Sequence, residues 1–238
     1  MSKVILCGYH WAGCKALELL LNQFDEVFVY THEAAFPVPD LISLCKSLGV
    51  KYTTEKIDVS NLPFEVDLIA SIYYRNIIKE DVIEKVNGKI FNLHPSLLPM
   101  YRGCSSLTWA IINGEQETGY TYHYIDKGCD TGNIILQERL KIEVWDTQQS
   151  LYQRAMFEAM KKFEEVVDAV LIGVEGIIQK GAESYYSRGC PHDGEISSDW
   201  SDKYISNYIR AMINPPLPVA KFKGNDIFSM DQFKRIME

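Results

Sequence analysis

At 238 residues the chain suffices for one large domain, or one domain with a small appendage, and its 47% hydrophobic content supplies a substantial core; a folded protein is expected. A net charge of −8 excludes a surface built to grip phosphate backbones, so no nucleic-acid partner is expected, although one local basic pocket for a diphosphate is compatible with it. The apolar run Val4 to Cys7 is too short for a signal h-region or a membrane span, and a cytoplasmic protein without a membrane partner is expected.

Lys3 to Tyr9 is almost wholly apolar, which suits a strand buried on both faces, and Ala12 to Asn22 follows with Leu17, Leu20 and Leu21 at helical spacing. Glu26 to Thr31 reads as a second strand, Asp40 to Leu48 as a helix opening after Pro39, and Val50 to Thr54 as a short strand. Asp67 to Tyr73 is another apolar strand, Lys79 to Val86 a helix, and Lys89 to Leu93 the strand that delivers Asn92 and His94. This alternation implies right-handed crossovers and a parallel sheet.

The pattern changes after Gly103. Leu107 to Asn113 reads as a short helix, and Gly119 to Ile125 and Asn133 to Glu143 as two strands parted by a turn-rich loop, Asp126 to Gly132, so the sheet is expected to become mixed. Thr147 to Ile172 carries apolar residues at helical spacing and is expected to form the longest helix, covering one face of the sheet. Beyond Gln179 the chain turns aromatic and polar, with a helix near Tyr204 to Ile213, a break at Pro215 to Pro218 and a hairpin around Lys223-Gly224-Asn225. The expected fold class is therefore α/β, with a mixed, mainly parallel sheet over residues 1–177 and a small subdomain of helix plus hairpin over 178–238.

The six cysteines contain no CxxC pair and are expected to be free thiols in a reducing compartment; Cys190-Pro191-His192 offers two metal ligands with no second pair, so no metal is expected. The chemistry concentrates in Phe91 to Gly103. In an open parallel sheet ligands bind beyond the carboxyl ends of the strands, where Gly8-Tyr9-His10 and Asn92-Leu93-His94 both fall. Residues two apart on a strand share a face, so Asn92 and His94 are expected to face one pocket, with Pro95 holding His94 extended. Asp130, in a Gly-flanked loop, supplies a carboxylate, although Asp130-Thr131-Gly132 also reads as an ordinary turn. Amide, imidazole and carboxylate together suit attack of an amine on a small acyl group: Asn92 and His94 donate to the developing oxyanion, and Asp130 holds the imidazole or accepts the amine proton.

Asn92-Leu93-His94-Pro95-Ser96-Leu97-Leu98-Pro99, Tyr101-Arg102-Gly103, Gly119-Tyr120-Thr121 and Asp130-Thr131-Gly132-Asn133-Ile134-Ile135 resemble, in order, the signatures of the folate-dependent formyltransferases. The resemblance implies a Rossmann-like fold, 10-formyltetrahydrofolate as donor, and Asn92, His94 and Asp130 as the catalytic residues. It also implies a folate lying along Ser71 to Asn76, including Tyr73 and Tyr74, and along Leu97 to Pro99, with the loop from Asp126 to Asp130 closing over it. The opening Gly8 to Cys14 and the tail from Tyr185 to Ile196 resemble the members acting on nucleotide-linked 4-amino sugars, used for lipopolysaccharide, O-antigen or other surface glycans. The bulky Tyr9-His10-Trp11 departs from the glycine-rich opening of glycinamide ribonucleotide enzymes, and the short acidic tail departs from the basic domain of methionyl-tRNA enzymes. Those two acceptors remain the alternatives, with a non-catalytic folate- or nucleotide-binding protein third. For a nucleotide-sugar acceptor, Tyr9, His10 and Tyr101 are candidate stacking faces and Arg75, Lys79 and Arg102 candidate phosphate contacts. A homodimer through the C-terminal appendage is expected.

Overall fold

The computed structural model describes residues 2–238. Its first strand, β1 (Lys3–Gly8), buries Val4, Ile5, Leu6 and Cys7 completely, as a parallel strand covered on both faces must. Helix α1 (His10–Leu20) returns over it along Ala12, Ala16, Leu17 and Leu20. The two approach so closely that a side chain at Gly13 would bring a Cβ within 3.1 Å of the Gly8 backbone. Strand β2 (Glu26–Tyr30) leads to α2 (Leu41–Leu48), whose ends are chemically fixed: Asp40 accepts from the Ile42 N–H, and Gly49 closes the last turn at a φ of 69°. Then come β3 (Lys51–Thr53), β4 (Leu68–Ile72), α3 (Glu80–Lys85) and β5 (Ile90–His94).

Two-residue β6 (Arg102–Gly103), α4 (Ser106–Ile112) and the long strands β7 (Glu117–Tyr124) and β8 (Ile134–Lys141) follow. Where one long helix was expected, the chain forms α5 (Gln148–Met160) and α6 (Phe163–Leu171). The break lies at Lys161 and Lys162, whose amides bond back three residues, to Glu158 and Ala159, and Lys162, at φ −101° and ψ −1°, is the residue that precedes α6. The tail holds β9 (Tyr185–Tyr186), α7 (Asp202–Ala211), the hairpin β10 (Ala220–Phe222) and β11 (Asn225–Ile227), and α8 (Met230–Met237). Lys223 and Gly224 both take positive φ in the hairpin turn, matching the right-handed twist of its strands.

The seven-stranded sheet runs β3-β2-β1-β4-β5-β7-β8, with the first five strands parallel and β7 antiparallel to β5. The fold is thus α/β with a mixed, mainly parallel sheet, as the sequence predicts. Strand order reverses between β1 and β4, and such a reversal opens a crevice at the carboxyl ends. Ile5, Ile69 and Ile90, on β1, β4 and β5, lie fully buried in one core cluster, each contributing roughly 1.5–3 kcal/mol by burial. The chain divides into two compact units. One takes the stretch ending at His94 with Thr121–Gln137 and Met156–Lys180; the other takes Pro95–Tyr120, Glu138–Ala155 and Gly181–Glu238. No helix among the described residues is long and apolar enough to cross a membrane.

Candidate active site

Sheet register builds the site. Parallel pairing of β4 with β5 sets Ser71 beside Asn92, and antiparallel pairing of β5 with β7 sets His123 opposite Asn92 and Thr121 opposite His94. Directly paired residues share a face, and so do residues two apart on one strand. Ser71, Asn92 and His123 consequently form one row across three strands, with His94 and Thr121 in the next. All belong to the first unit, as do Asp130 and Gln179.

The contacts run through these rows. Ser71 Oγ donates to Asn92 Oδ1 at 3.0 Å, and Asn92 Nδ2 lies 3.1 Å from His123 Nε2. The other ring nitrogen of His123 lies 2.8 Å from the Tyr124 carbonyl. The Asp130 carboxylate spans both imidazoles: Oδ2 is 3.5 Å from His94 Nδ1, and Oδ1 is 3.5 Å from His123 Nε2. These separations lie at the outer limit of hydrogen-bond length, a spacing that substrate binding commonly tightens. His94 is 5% exposed and His123 2%, so the imidazoles work away from bulk water, where electrostatic interactions strengthen. Gln137 Nε2 donates to Thr121 Oγ1 and ties β8 to the second row.

Loop 126–132 is a built structure. Asp126 Oδ1 accepts from the Gly128 N–H and the Thr131 hydroxyl, and Gln179 Nε2 donates to the carbonyls of both Asp130 and Gly132, each at 2.8 Å. A Cβ on Gly132 would fall 1.8 Å from the Tyr124 carbonyl oxygen, so the loop closes only with glycine there. Asp130 itself sits at a φ of 55°, a left-handed conformation that costs a non-glycine residue about 1 kcal/mol or more and concentrates at functional sites. His10 and Tyr73, at the carboxyl ends of β1 and β4, are left-handed too.

Those carboxyl ends carry an aromatic wall in the same unit. Tyr9 packs on His32 with ring centroids 4.5 Å apart and stacks parallel to Tyr73 at 6.3 Å, and the Arg75 guanidinium stands 5.0 Å over its ring. His10 lies 5.5 Å from Tyr73, and its Nδ1 accepts the Trp11 N–H at the start of α1; burial lowers its pKa from the ordinary histidine value. Tyr74 turns inward, accepting from the Ile57 N–H and packing on the core cluster. Lys79 pairs with Asp58 at 2.7 Å, and that partnership holds the Asp58 carboxyl down at about 2.

The remaining sequence-predicted residues belong to the second unit. Tyr101 is buried and donates its hydroxyl to Glu115, with its ring stacked on Tyr186; Arg102 pairs with Glu183 at 2.6 Å. Pro99 is buried, with its carbonyl accepting from the Ser184 N–H, and Leu97 is half-buried. In this unit both rings flanking Tyr186 are aromatic, Tyr101 on one contact and Trp109 on the other. Of the predicted residues, the structure thus brings Asn92, His94 and Asp130 together and gathers Tyr9, His10, Tyr73 and Arg75 into one wall at the strand ends. His123 and Gln179 escape the sequence reading. Among the described residues no group of three or more His, Cys, Asp or Glu is placed to hold a metal ion.

Known proteins share both sequence and fold with this chain. The sequence model of the formyl transferase family matches residues 21–167. The chain is 37% identical over 248 aligned positions to the GDP-perosamine N-formyltransferase of Brucella melitensis, covering 99% of this chain and 96% of that protein. Among solved structures, the N-formyltransferase of Helicobacter canadensis, in complex with folinic acid and dTDP-3-aminofucose, superposes with a TM-score of 0.82 at 28% identity, over 96% of this chain and 87% of its own. WlaRD, a sugar 3N-formyl transferase, shares the fold with a TM-score of 0.81 at 24% identity, over 96% and 85% of the two chains.

Proposed function

The chain belongs to the formyl transferase family, and from that premise we propose that it transfers a formyl group from 10-formyltetrahydrofolate to the amine of a nucleotide-linked amino-dideoxy sugar. The observation that carries this reading is the meeting of Asn92, the buried His94 and Asp130 in one corner of the first unit. The folate supplies an activated formyl carbon. The chain has to stabilise negative charge on the formyl oxygen, take a proton from the incoming amine and leave one for the departing nitrogen.

Asn92 and His94 suit the stabilisation of that charge. The Asn92 amide uses its oxygen on Ser71 and one N–H on His123, which leaves a second N–H to donate, and His94 is a buried donor on the same face. A donor aimed at a developing oxyanion is worth roughly 2.7–4 kcal/mol of barrier in other enzymes. Asp130 suits the proton transfer, since its carboxylate is the acceptor beside His94, and the two exchange the proton that the amine gives up. Forming the new amide bond and breaking the bond to the folate nitrogen balances with that one proton, so no metal or redox partner is required.

The likeness to the Brucella enzyme supports GDP-perosamine as the acceptor type, within the 4-amino sugar class that the two ends of the sequence suggest. Tyr9, His10, Tyr73 and Arg75 supply aromatic faces and a cation at the strand ends for nucleotide, sugar or pterin. Within the first unit, Tyr74 and Asp126 are assigned to the folate, chiefly through backbone, and Lys79 to the acceptor; within the second, Leu97 and Pro99 are assigned to the folate and Tyr101 and Arg102 to the acceptor. On this reading residues 1–177 carry catalysis and 178–238 form the appendage through which a cytoplasmic homodimer assembles, and the product is consumed in O-antigen or other surface-glycan synthesis. Incubation with the formyl donor and a panel including GDP-perosamine and dTDP-3-aminofucose tests it: a product heavier by one formyl group supports the reading, and no turnover on any amino sugar overturns it.

A further inference from the structure

We propose that His123 is a positioning residue for formyl transfer: it fixes which way the Asn92 amide points, as a neutral ring protonated at Nδ1. The proposal rests on the formyl-transfer reading of Asn92, His94 and Asp130, and its test separates the two.

The ring's two nearest hydrogen-bond partners point to its tautomer. His123 Nδ1 faces the Tyr124 carbonyl at 2.8 Å, and a carbonyl oxygen only accepts, so the ring's proton resides on Nδ1. In a neutral ring Nε2 is then a bare acceptor. The group 3.1 Å from it is Asn92 Nδ2, which only donates. Ser71, on the other side, donates to Asn92 Oδ1 at 3.0 Å. Acceptor on one flank and donor on the other leave the amide one orientation, with its second N–H available for the formyl oxygen. Protonating Nε2 would set donor against donor and reward the flipped amide, which turns its oxygen toward His123.

Burial makes the preference costly to ignore. His123 is 2% exposed, on β7, and the charged or titratable groups facing it are Asp130, with Oδ1 3.5 Å from Nε2, and His94 beyond that same carboxylate. A buried donor or acceptor left unmatched costs the full desolvation of the group. The register that pairs Asn92 with His123 across β5 and β7 is part of the sheet itself, so the partner is held by backbone hydrogen bonds rather than by a mobile loop.

The test is a double-mutant cycle read in single turnover at excess enzyme, with circular dichroism to confirm folding. His123→Ala is expected to lower the single-turnover rate constant roughly 10- to 100-fold with affinity for either substrate little changed, less than the roughly 100- to 1,000-fold cost of deleting an oxyanion donor, because the Asn92 amide remains. His123→Gln, which restores an acceptor, is expected to recover most of that loss. In an Asn92→Ala background His123→Ala is expected to cost less than about threefold, because its effect passes through the amide. Equal losses in both backgrounds would overturn the proposal. Nitrogen-15 spectra of the histidine rings decide it without turnover: a δ1-protonated, ε2-bare His123 is expected, and an ε2-protonated or charged ring overturns it. Failure of the wild-type enzyme to transfer formyl would instead overturn the functional reading.

Discussion

The Gln179 side-chain amide donates to the backbone carbonyls of Asp130 and Gly132, at 2.8 Å each, and so sets where the Asp130 carboxylate stands. Gln179 thereby holds the loop that carries Asp130. Gln179→Ala is expected to lower kcat roughly tenfold while costing about 1–3 kcal/mol of stability, the usual worth of two neutral hydrogen bonds. Hydrogen exchange over residues 126–132 checks the cause, since protection there is expected to fall while the central strands keep theirs.

Gly132 makes a sharper prediction. A methyl group at that position meets the Tyr124 carbonyl at 1.8 Å, and the obstacle is backbone, which cannot swing aside. Gly132→Ala is expected to displace loop 126–132 or the end of β7, losing about 2 kcal/mol or more, within the range for overpacked sites. Thermal melting and turnover measured together check it: activity is expected to fall further than the stability loss alone accounts for.

The imidazole of His10 gives a pH dependence with a definite sign. Burial lowers its pKa, so the fold prefers the neutral ring, and Nδ1 is engaged by the Trp11 N–H. A depressed group stabilises the fold above its unfolded value, about 6.5 for histidine, and that contribution disappears as pH falls through the lowered folded value. Melting temperature is expected to drop less between about pH 7 and about pH 5 in His10→Asn than in the wild type, because an asparagine oxygen accepts the Trp11 N–H without titrating.

Much of this architecture is legible in the sequence, for reasons that differ by element. The apolar runs of β1, β4 and β5 are unambiguous because buried parallel strands have no polar face, and the Gly-rich loop before Ile134 announces a strand change. Asn92 and His94 are legible because a two-residue period fixes their common face. The α5–α6 break is not, since Lys161 and Lys162 are good helix formers and the interruption comes from how the backbone closes there. Helix α8 carries a readable start, Ser229 with Gln232 three residues on, and Ser229 does accept the Gln232 N–H; its short length conceals it. His123 is hidden for a deeper reason. Its value depends on the register of β7 against β5, and nothing local in Tyr122-His123-Tyr124 states which residue stands opposite.

The most direct test of the account is transfer of a labelled formyl group from 10-formyltetrahydrofolate to the amino-sugar nucleotide, comparing wild type with His94→Ala and Asp130→Asn, each confirmed folded by its melting curve. The account predicts rates lowered roughly 100-fold or more in both variants, the range for acid–base groups. Near-normal transfer by either folded variant would contradict it.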